Sequence, residues 1–296
     1  MRKVICSLAA GGHIPLLELS RGTYENYALR HGYDVVVEAI PQPAEENRRP
    51  VGGVIKASLV ETYNRFGIGL IRWGIDHMPL SARLHVAGPP QSYWTRILDG
   101  LGNYGLRILA ASVRTEEPPS WRKIRLIRSL LDQYDLVIWI DADAMIVDPT
   151  VDIATLLRPN KWLYGVVHEV DDGAHLNCGV LMIRSCGEAK AMLNDVARLR
   201  QYIHHPWWEQ AAVLYLLGYD VRSITRIRDT KYTGGFAPIS KQWNSIPPDA
   251  AERPYIEHYA GVANTRRLEL MREHAAAFKR DTPATQPGRM PSGEES

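Results

Sequence analysis

The sequence has few cysteines, no excess of one charge and no long apolar run, and each absence argues against a class of protein. Three cysteines among 296 residues are too few for a disulfide framework, which favours a reducing compartment. A net charge of +2 without a long basic run gives no electrostatic reason to expect a nucleic-acid partner. No stretch approaches the roughly 18 apolar residues of a membrane span. We therefore expect a cytoplasmic protein without a transmembrane anchor.

The beginning of the chain predicts an α/β fold. Residues 4–8 predict a strand that leads into Gly11 and Gly12, where the backbone can turn sharply or approach a ligand closely. Residues 16–30 have the spacing of a helix, and residues 33–39 predict a second strand. A strand, a helix and a strand within about 35 residues are typical of a mostly parallel sheet. The motif G-x-G-x-x-G is absent, so the glycine turn alone is weak support for a nucleotide site.

The chain is expected to form a single domain over residues 1–277. Residues 42–119 show no clear pattern and are interpreted as a candidate insertion. Residues 278–296 are polar and proline-rich, which predicts a disordered C-terminal tail.

The most informative segment is an apolar run that ends in Asp141-Ala142-Asp143. Residues 136–140 are apolar and β-prone, which predicts a buried strand. On extended backbone, side chains two positions apart point the same way, so the two carboxylates can converge on one cation. Carboxylate oxygens suit magnesium or manganese. The alternative is a capped strand end with both carboxylates in water.

More polar groups are expected at the same edge, because open α/β sheets bind ligands at the carboxyl ends of their strands. Asn177, followed by Gly179, could bind a sugar hydroxyl or, as is usual for Asn in a turn, its own backbone. Glu209 and Gln210 begin a helix beside two tryptophans, which fits either helix capping or sugar binding. His258 could complete a metal site and would favour manganese, although a lone histidine is more often a core residue.

Six short motifs, in this order, resemble the galactosyltransferase family of fungal α-1,2-galactosyl/mannosyltransferases and plant xyloglucan xylosyltransferases. They are Tyr27-Ala28-x-Arg30-His31-Gly32-Tyr33, Ser120-Trp121-x-Lys123-Ile124, Trp139-Ile140-Asp141-Ala142-Asp143-Ala144, Asn177-Cys178-Gly179-Val180, Glu209-Gln210 and His258-Tyr259-Ala260-Gly261. The resemblance covers about residues 2–39 and 118–267. It implies the GT-A glycosyltransferase fold, in which helices flank a mostly parallel, Rossmann-like central sheet. It also implies a nucleotide-diphosphate sugar donor, Mn²⁺ (Mg²⁺ as the second choice) and retention of anomeric configuration.

The residues and the resemblance together give three sets of candidates. The metal candidates are Asp141, Asp143 and His258. The candidates for catalysis around the transferred sugar are Gln210, Glu209 and Asn177. The candidates for binding the donor are Asp141, Asp143, Lys123, Trp121, Gly11, Gly12 and Arg266.

Three departures from the family pattern bear on these expectations. Cys178 stands where Thr is usual. The family's Lys after the His-x-x-Gly motif is missing, so an Arg, here Arg266, would have to contact the diphosphate. The fungal and plant relatives carry a membrane anchor, whereas none is expected here. We therefore expect a protein without an anchor that acts on a small molecule, a saccharide or a glycoconjugate.

The predicted reaction moves a hexose or pentose from a nucleotide-diphosphate sugar, expected to be a UDP-sugar, to an acceptor hydroxyl. Gln210 would orient the sugar or stabilise positive charge, and Glu209 as a covalent nucleophile is the less favoured variant. Two other functions stay open. One is a haloacid-dehalogenase-like phosphohydrolase with Asp141 as nucleophile, in which Met145 stands where Thr or Val is expected. The other is a non-catalytic nucleotide-sugar-binding module.

Overall fold

The computed structural model describes residues 1–41, 118–170, 173–203, 205, 207–221, 224–247 and 249–281. The chain divides into two units. The described part of the first comprises residues 1–41, 119–170, 173–200, 209–221, 224–247 and 249–281, and that of the second comprises residues 118, 201–203, 205, 207 and 208. The expected insertion at 42–119 and the tail at 278–296 lie almost wholly outside the described residues. They stay predictions, as does the single domain.

The described elements are ten strands and five α-helices. The strands are β1 (Lys3–Ala10), β2 (Asp34–Ile40), β3 (Leu136–Ile140), β4 (Ala144–Ile146), β5 (Leu163–Val170), β6 (Gly173–Arg184), β7 (Tyr219–Asp220), β8 (Thr225–Arg226), β9 (Phe236–Ile239) and β10 (Ile256–His258). The helices are α1 (Ile14–His31), α2 (Pro119–Leu130), α3 (Gly187–Arg198), α4 (Trp208–Leu216) and α5 (Asn264–Asp281).

The centre of the first unit is a six-stranded sheet with the order β2-β1-β3-β6-β5-β9. The pairs β1–β2, β1–β3 and β5–β9 are parallel, whereas β6 runs antiparallel to both of its neighbours, β3 and β5. Five of the six strands therefore point the same way. The predicted α/β class with a mostly parallel central sheet is confirmed.

The strand β3 is the core of this sheet. Each of its five residues is buried, as the apolar run predicts, and the strand is hydrogen-bonded on both sides, to β1 and to β6. Thr23 of helix α1 lies beside β4, the short strand that follows β3. The Thr23 hydroxyl accepts a hydrogen bond from the Ile146 N–H (3.2 Å) and so joins α1 to β4.

The strand β6 is longer than the predicted strand over residues 178–184, because residues 173–177 pair with β5. The register between the two strands shifts at Gly165 and Val166, which pair with Leu181 and Asn177. Residues 178–180 therefore have no partner in β5 and form a bulge. Bulges redirect side chains and are frequent beside binding sites. This bulge directly follows Asn177 and contains the next two residues of the predicted motif, Cys178 and Gly179.

Candidate functional site

Asp141 and Asp143 lie in a tight turn between β3 and β4. The Ala144 N–H donates to the Asp141 carbonyl oxygen (3.0 Å) and closes a β-turn. The expectation of extended backbone here was wrong, because the chain leaves the central sheet and forms β4, which pairs with β10 in a separate sheet. The Tyr24 hydroxyl of α1 anchors the turn, at 3.1 Å from the Asp141 carbonyl oxygen and 2.7 Å from that of Ala144.

The turn brings both carboxylates to His258, the last residue of β10. One ligand atom from each of Asp141, Asp143 and His258 lies within 4.8 Å of the others. The Nε2 atom of His258 is 3.4 Å from Asp143 Oδ1 and 3.9 Å from Asp141 Oδ2. Both distances are longer than a usual hydrogen bond. The structure therefore brings the three predicted metal candidates together.

Each carboxylate uses one oxygen on a neighbouring group and turns the other towards His258. Asp141 Oδ1 accepts hydrogen bonds from Trp139 Nε1 (2.6 Å) and Lys123 Nζ (3.2 Å). Asp143 Oδ2 lies 2.9 Å from Arg267 Nη1. The two oxygens that remain are the ones that face the imidazole. Two carboxylate oxygens and one imidazole nitrogen form a donor set that fits a divalent cation such as Mn²⁺.

Asp143 is held in its ionised form. Burial by itself would raise the pKa of this carboxyl group, but His258 and Arg267 outweigh that effect and keep its pKa well below the ordinary value. His13, in the turn that follows β1, acts in the same direction. An ionised carboxylate is the form that binds a cation.

Gly11 and Gly12 form a short 3-10 turn with His13 directly after β1. The φ angle of Gly11 is 55°, a left-handed conformation that favours glycine. A Cβ atom added at Gly12 would meet none of the described atoms within 4 Å. Space is therefore open beside Gly12, and the adjacent His13 acts electrostatically on Asp143. The donor-binding role of Gly11 and Gly12 stays a prediction.

Lys123 links Asp141 to the helix α4. Its side chain is only 3% exposed, and Nζ lies 3.2 Å from Asp141 Oδ1 and 3.0 Å from Glu209 Oε1. It also donates to the Cys178 carbonyl oxygen at 2.6 Å. Burial alone would lower the pKa of Lys123, but the two carboxylates reverse this and raise it above its ordinary value. Burial raises the pKa of Glu209, with Lys123 opposing that shift.

The bulge in β6 gathers the three predicted catalytic residues. The Cys178 N–H donates to Gln210 Oε1 (2.9 Å), and the Cys178 carbonyl oxygen binds Lys123, the ion-pair partner of Glu209. The Gly179 N–H donates to Asn177 Oδ1 at 2.8 Å. Gln210 and Asn177 therefore bind this short backbone segment directly, and Glu209 is joined to it through Lys123. Their catalytic role stays a prediction.

Two predicted donor-binding residues take no part in the hydrogen bonds and ion pairs of this network that the described residues form. Arg266 is exposed and pairs with Glu269 and Glu273 of its own helix, at 3.3 and 3.8 Å. Trp121 of α2 is only 1% exposed. Their roles at the donor stay predictions.

Arg267 and Asn244 belong to the site, and sequence reasoning missed both. Arg267, not its neighbour Arg266, contacts Asp143, because consecutive helical residues point about 100° apart. The sequence did contain a signal for Arg267. The apolar residue Met271 lies four residues later, on the same helical face, and the structure shows it fully buried. Asn244 is also fully buried and bonds both His258 and Asn177. It lies in a segment without a motif, so no sequence signal pointed to it.

Three solved structures of glycosyltransferases are similar to this chain to different degrees. A glycosyltransferase involved in glycosylation of the major capsid of PBCV-1 matches with a TM-score of 0.51 and 15% identity, over 92% of this chain and 100% of that one. The galactosyltransferase LgtC, in complex with donor and acceptor sugar analogs, matches with a TM-score of 0.42 and 13% identity, over 93% and 95% of the two chains. GlyE of Streptococcus pneumoniae TIGR4 matches with a TM-score of 0.48 and 13% identity, over 93% of this chain and 60% of that one.

The fold assignment rests on the first of these likenesses. Together with the order and direction of the strands, it shows the GT-A fold that the sequence motifs imply. No protein-family model matches the sequence, and no curated protein matches it either. Membership of the fungal and plant family named above therefore stays a prediction.

Membrane insertion by a helix has no support within the described residues. None of the described helices combines the length and the hydropathy that crossing a bilayer requires. The cytoplasmic location remains a prediction.

Proposed function

We propose that this protein is a metal-dependent glycosyltransferase. It would transfer a hexose or pentose from a nucleotide-diphosphate sugar, with a UDP-sugar as first choice, to a hydroxyl group of a small molecule, saccharide or glycoconjugate. The observation that carries the proposal is the pair of carboxylate oxygens, on Asp141 and Asp143, that face His258 Nε2 at the end of a central strand in a GT-A fold.

The charges of the cluster favour a divalent cation. Three carboxylates, on Asp141, Asp143 and Glu209, face two permanent cations, Lys123 and Arg267. One negative charge is left, on oxygens that are partly withdrawn from water, and this is costly unless a cation compensates it. Asp141, Asp143 and His258 would hold Mn²⁺, or Mg²⁺ as second choice. When bound, the ion would act as a Lewis acid that neutralises charge developing on the donor diphosphate.

The residues around the bulge would position the transferred sugar. Gln210 Oε1 already accepts from the Cys178 N–H, so one of its two lone pairs remains to stabilise positive charge at the sugar. We propose that this amide mainly orients the sugar. Glu209 is tied to Lys123 at 3.0 Å, and an ion-paired carboxylate is a weaker nucleophile. This supports a counter-ion role for Glu209. For the retaining reaction that the family resemblance implies, we propose that the departing phosphate oxygen takes the acceptor proton.

The isosteric substitution Asp143→Asn tests the metal site. We expect the variant to lose the Mn²⁺-dependent binding of UDP-sugars, measured by thermal shift and calorimetry with and without Mn²⁺, because ligand binding to the folded state raises apparent stability. Asp229→Asn is the matched control, since Asp229 is 82% exposed and pairs only with Arg226 among the described residues. Unchanged metal-dependent affinity in Asp143→Asn would contradict the proposal.

Turnover assays separate the proposal from its two rivals. Release of nucleoside diphosphate from a UDP-sugar, dependent on Mn²⁺, supports the transferase. Release of inorganic phosphate from simple phosphomonoesters would instead support the phosphohydrolase with Asp141 as nucleophile. Tight binding of a nucleotide sugar would support the binding module if no nucleoside diphosphate is released with any acceptor or with water.

A further inference from the structure

Three contacts hold His258 in place, two at the imidazole ring and one at the backbone. The Nδ1 atom lies 2.9 Å from Asn244 Oδ1, and the backbone N–H of His258 donates to the Ser245 carbonyl oxygen at 2.9 Å. A Cβ atom added at Gly179 would lie 2.1 Å from His258 Cε1, so only glycine leaves room for the ring. The ring thus has one orientation, and its Nε2 atom is the one turned to the aspartates.

The identity of each amide atom in this cluster follows from one backbone group. The Gly179 N–H can only donate, so the Asn177 atom 2.8 Å away must be the oxygen. The Asn244 atom that lies 2.9 Å from this oxygen must then be the nitrogen, which donates to it. The other amide atom of Asn244 is therefore its oxygen, and this oxygen faces His258 Nδ1.

A carbonyl oxygen can only accept, so His258 Nδ1 must carry the hydrogen. With a hydrogen on Nδ1, the ring can bind a cation only through Nε2. The Nε2 atom faces Asp143 Oδ1 and Asp141 Oδ2, which are 3.4 and 3.9 Å away. The chain of hydrogen bonds thus runs from the bulge in β6, through Asn177 and Asn244, to the nitrogen opposite the one that would bind a metal.

We propose that Asn244 is a positioning residue that keeps a hydrogen on Nδ1 of His258 and so leaves Nε2 as the ring atom that can bind a metal. Asn244 does not itself touch the metal. Its amide is suited to this place because it donates to Asn177 with one atom and accepts from His258 with the other. Because Asn244 is fully buried, each of these atoms needs a partner. The inference rests on the proposed function, which supplies the metal.

The first test reads the tautomer in metal-free wild-type protein and needs no variant of Asn244. Histidine labelled with ¹⁵N gives different nitrogen shifts for the two tautomers, and the His258→Gln spectrum identifies the His258 signals. The spectrum shows whether Nδ1 carries a hydrogen. We expect a protonated Nδ1. An unprotonated Nδ1, with the hydrogen on Nε2, would overturn the inference whether or not the protein transfers sugars.

The second test compares Mn²⁺ affinity in two Asn244 variants, by electron paramagnetic resonance of free Mn²⁺. Asn244→Leu has similar size but no hydrogen bonds, and we expect binding to weaken about 10- to 100-fold, as for other residues that orient metal ligands. Asn244→Asp can still accept from Nδ1–H, so we expect it to bind Mn²⁺ within a few-fold of wild type. A role in packing alone predicts the opposite order, because a buried carboxylate is costlier than leucine.

The outcomes separate this inference from the proposed function. If wild-type protein binds Mn²⁺ and Asn244→Leu binds it equally well, the positioning role is wrong and the metal site stands. If wild-type protein binds no Mn²⁺, the metal site fails, and the inference fails with it. Should Asn244→Leu not fold, the tautomer of the wild-type protein and the affinity of Asn244→Asp still decide the question.

Discussion

Two parts of the site use their polar atoms differently. The metal side consists of Asp141, Asp143 and His258, and each of these residues binds a protein partner with one atom and turns a second atom to a common point. On the sugar side, Lys123, Glu209 and Gln210 bind one another or the backbone of Cys178. The metal side therefore keeps acceptor atoms ready for an ion. On the sugar side most of the polar atoms already have protein partners, so we expect these side chains to be held rigidly.

Removing the cation of the sugar side has the largest expected effect. Lys123→Met leaves Glu209, whose side chain is 7% exposed, without its counter-ion. Breaking a buried pair in this way costs about 3–5 kcal/mol of the free energy of unfolding, measured by urea denaturation. The double variant Lys123→Met/Glu209→Gln should recover part of the loss. A loss below about 1 kcal/mol would mean that the pair contributes no more than a surface ion pair.

Two neighbouring arginines test the boundary of the metal side. Arg267→Met removes the partner of Asp143 and should cost about 1.5–3 kcal/mol, the range for a hydrogen bond to a charged group. It should also weaken UDP-sugar binding in the presence of Mn²⁺. Arg266→Met, which removes only exposed pairs, should stay within about 0.5 kcal/mol of wild type. If only Arg266→Met weakens donor binding, then Arg266 is the diphosphate ligand that the family resemblance suggests.

The close contact between Gly179 and His258 joins the two sides. Gly179→Ala should displace the imidazole, cost about 1–3 kcal/mol as other overpacked sites do, and weaken Mn²⁺ binding. Gly187→Ala is the matched control, because a Cβ atom there meets no described atom within 4 Å. Calorimetric Mn²⁺ titration of both variants provides the comparison. Equal affinities would show that the ring does not need this position.

The smallest expected effect concerns the outer support of the metal side, where His274 of α5 meets Glu257 of β10 at 3.1 Å. The hydrogen bond that His274 donates to Glu257 raises the pKa of His274 above 6.5, so its stabilising contribution is complete below that pH and is lost as pH rises through the folded-state pKa. His274 lowers the pKa of Glu257 below 4.5, so that contribution is complete above pH 4.5 and is lost in acid.

The pair therefore stabilises most between pH 4.5 and pH 6.5. His274→Gln should flatten the change in the free energy of unfolding between this window and about pH 8, by less than about 1 kcal/mol because both side chains are about one-third exposed. Urea denaturation at pH 5.5 and at about pH 8 gives the comparison. An identical difference between the two pH values in wild type and variant would contradict this role.

The local order of residues determined much of the fold. An apolar run must be buried, so the strand Leu136–Ile140 could be recognised without any knowledge of its neighbours. Asp141 and Asp143 are close because they are two residues apart, and this holds even though a turn, not extended backbone, brings them together. The pairing of His258 with these aspartates came from the resemblance to a family, since no local rule connects residues so far apart.

Only the tertiary structure decided which atoms of this site are used by the protein itself. Asn244 and Asn177 are 67 positions apart, and their bond forms because β6 and the segment before β10 meet beside the same bulge. The choice between Arg266 and Arg267 depended on the rotation of α5, for which Met271 is the sequence signal, but only the packed helix shows that Arg267 reaches Asp143. Sequence specifies chemistry at short range, whereas the direction of a hydrogen bond between distant side chains is set by the geometry of the elements that carry them.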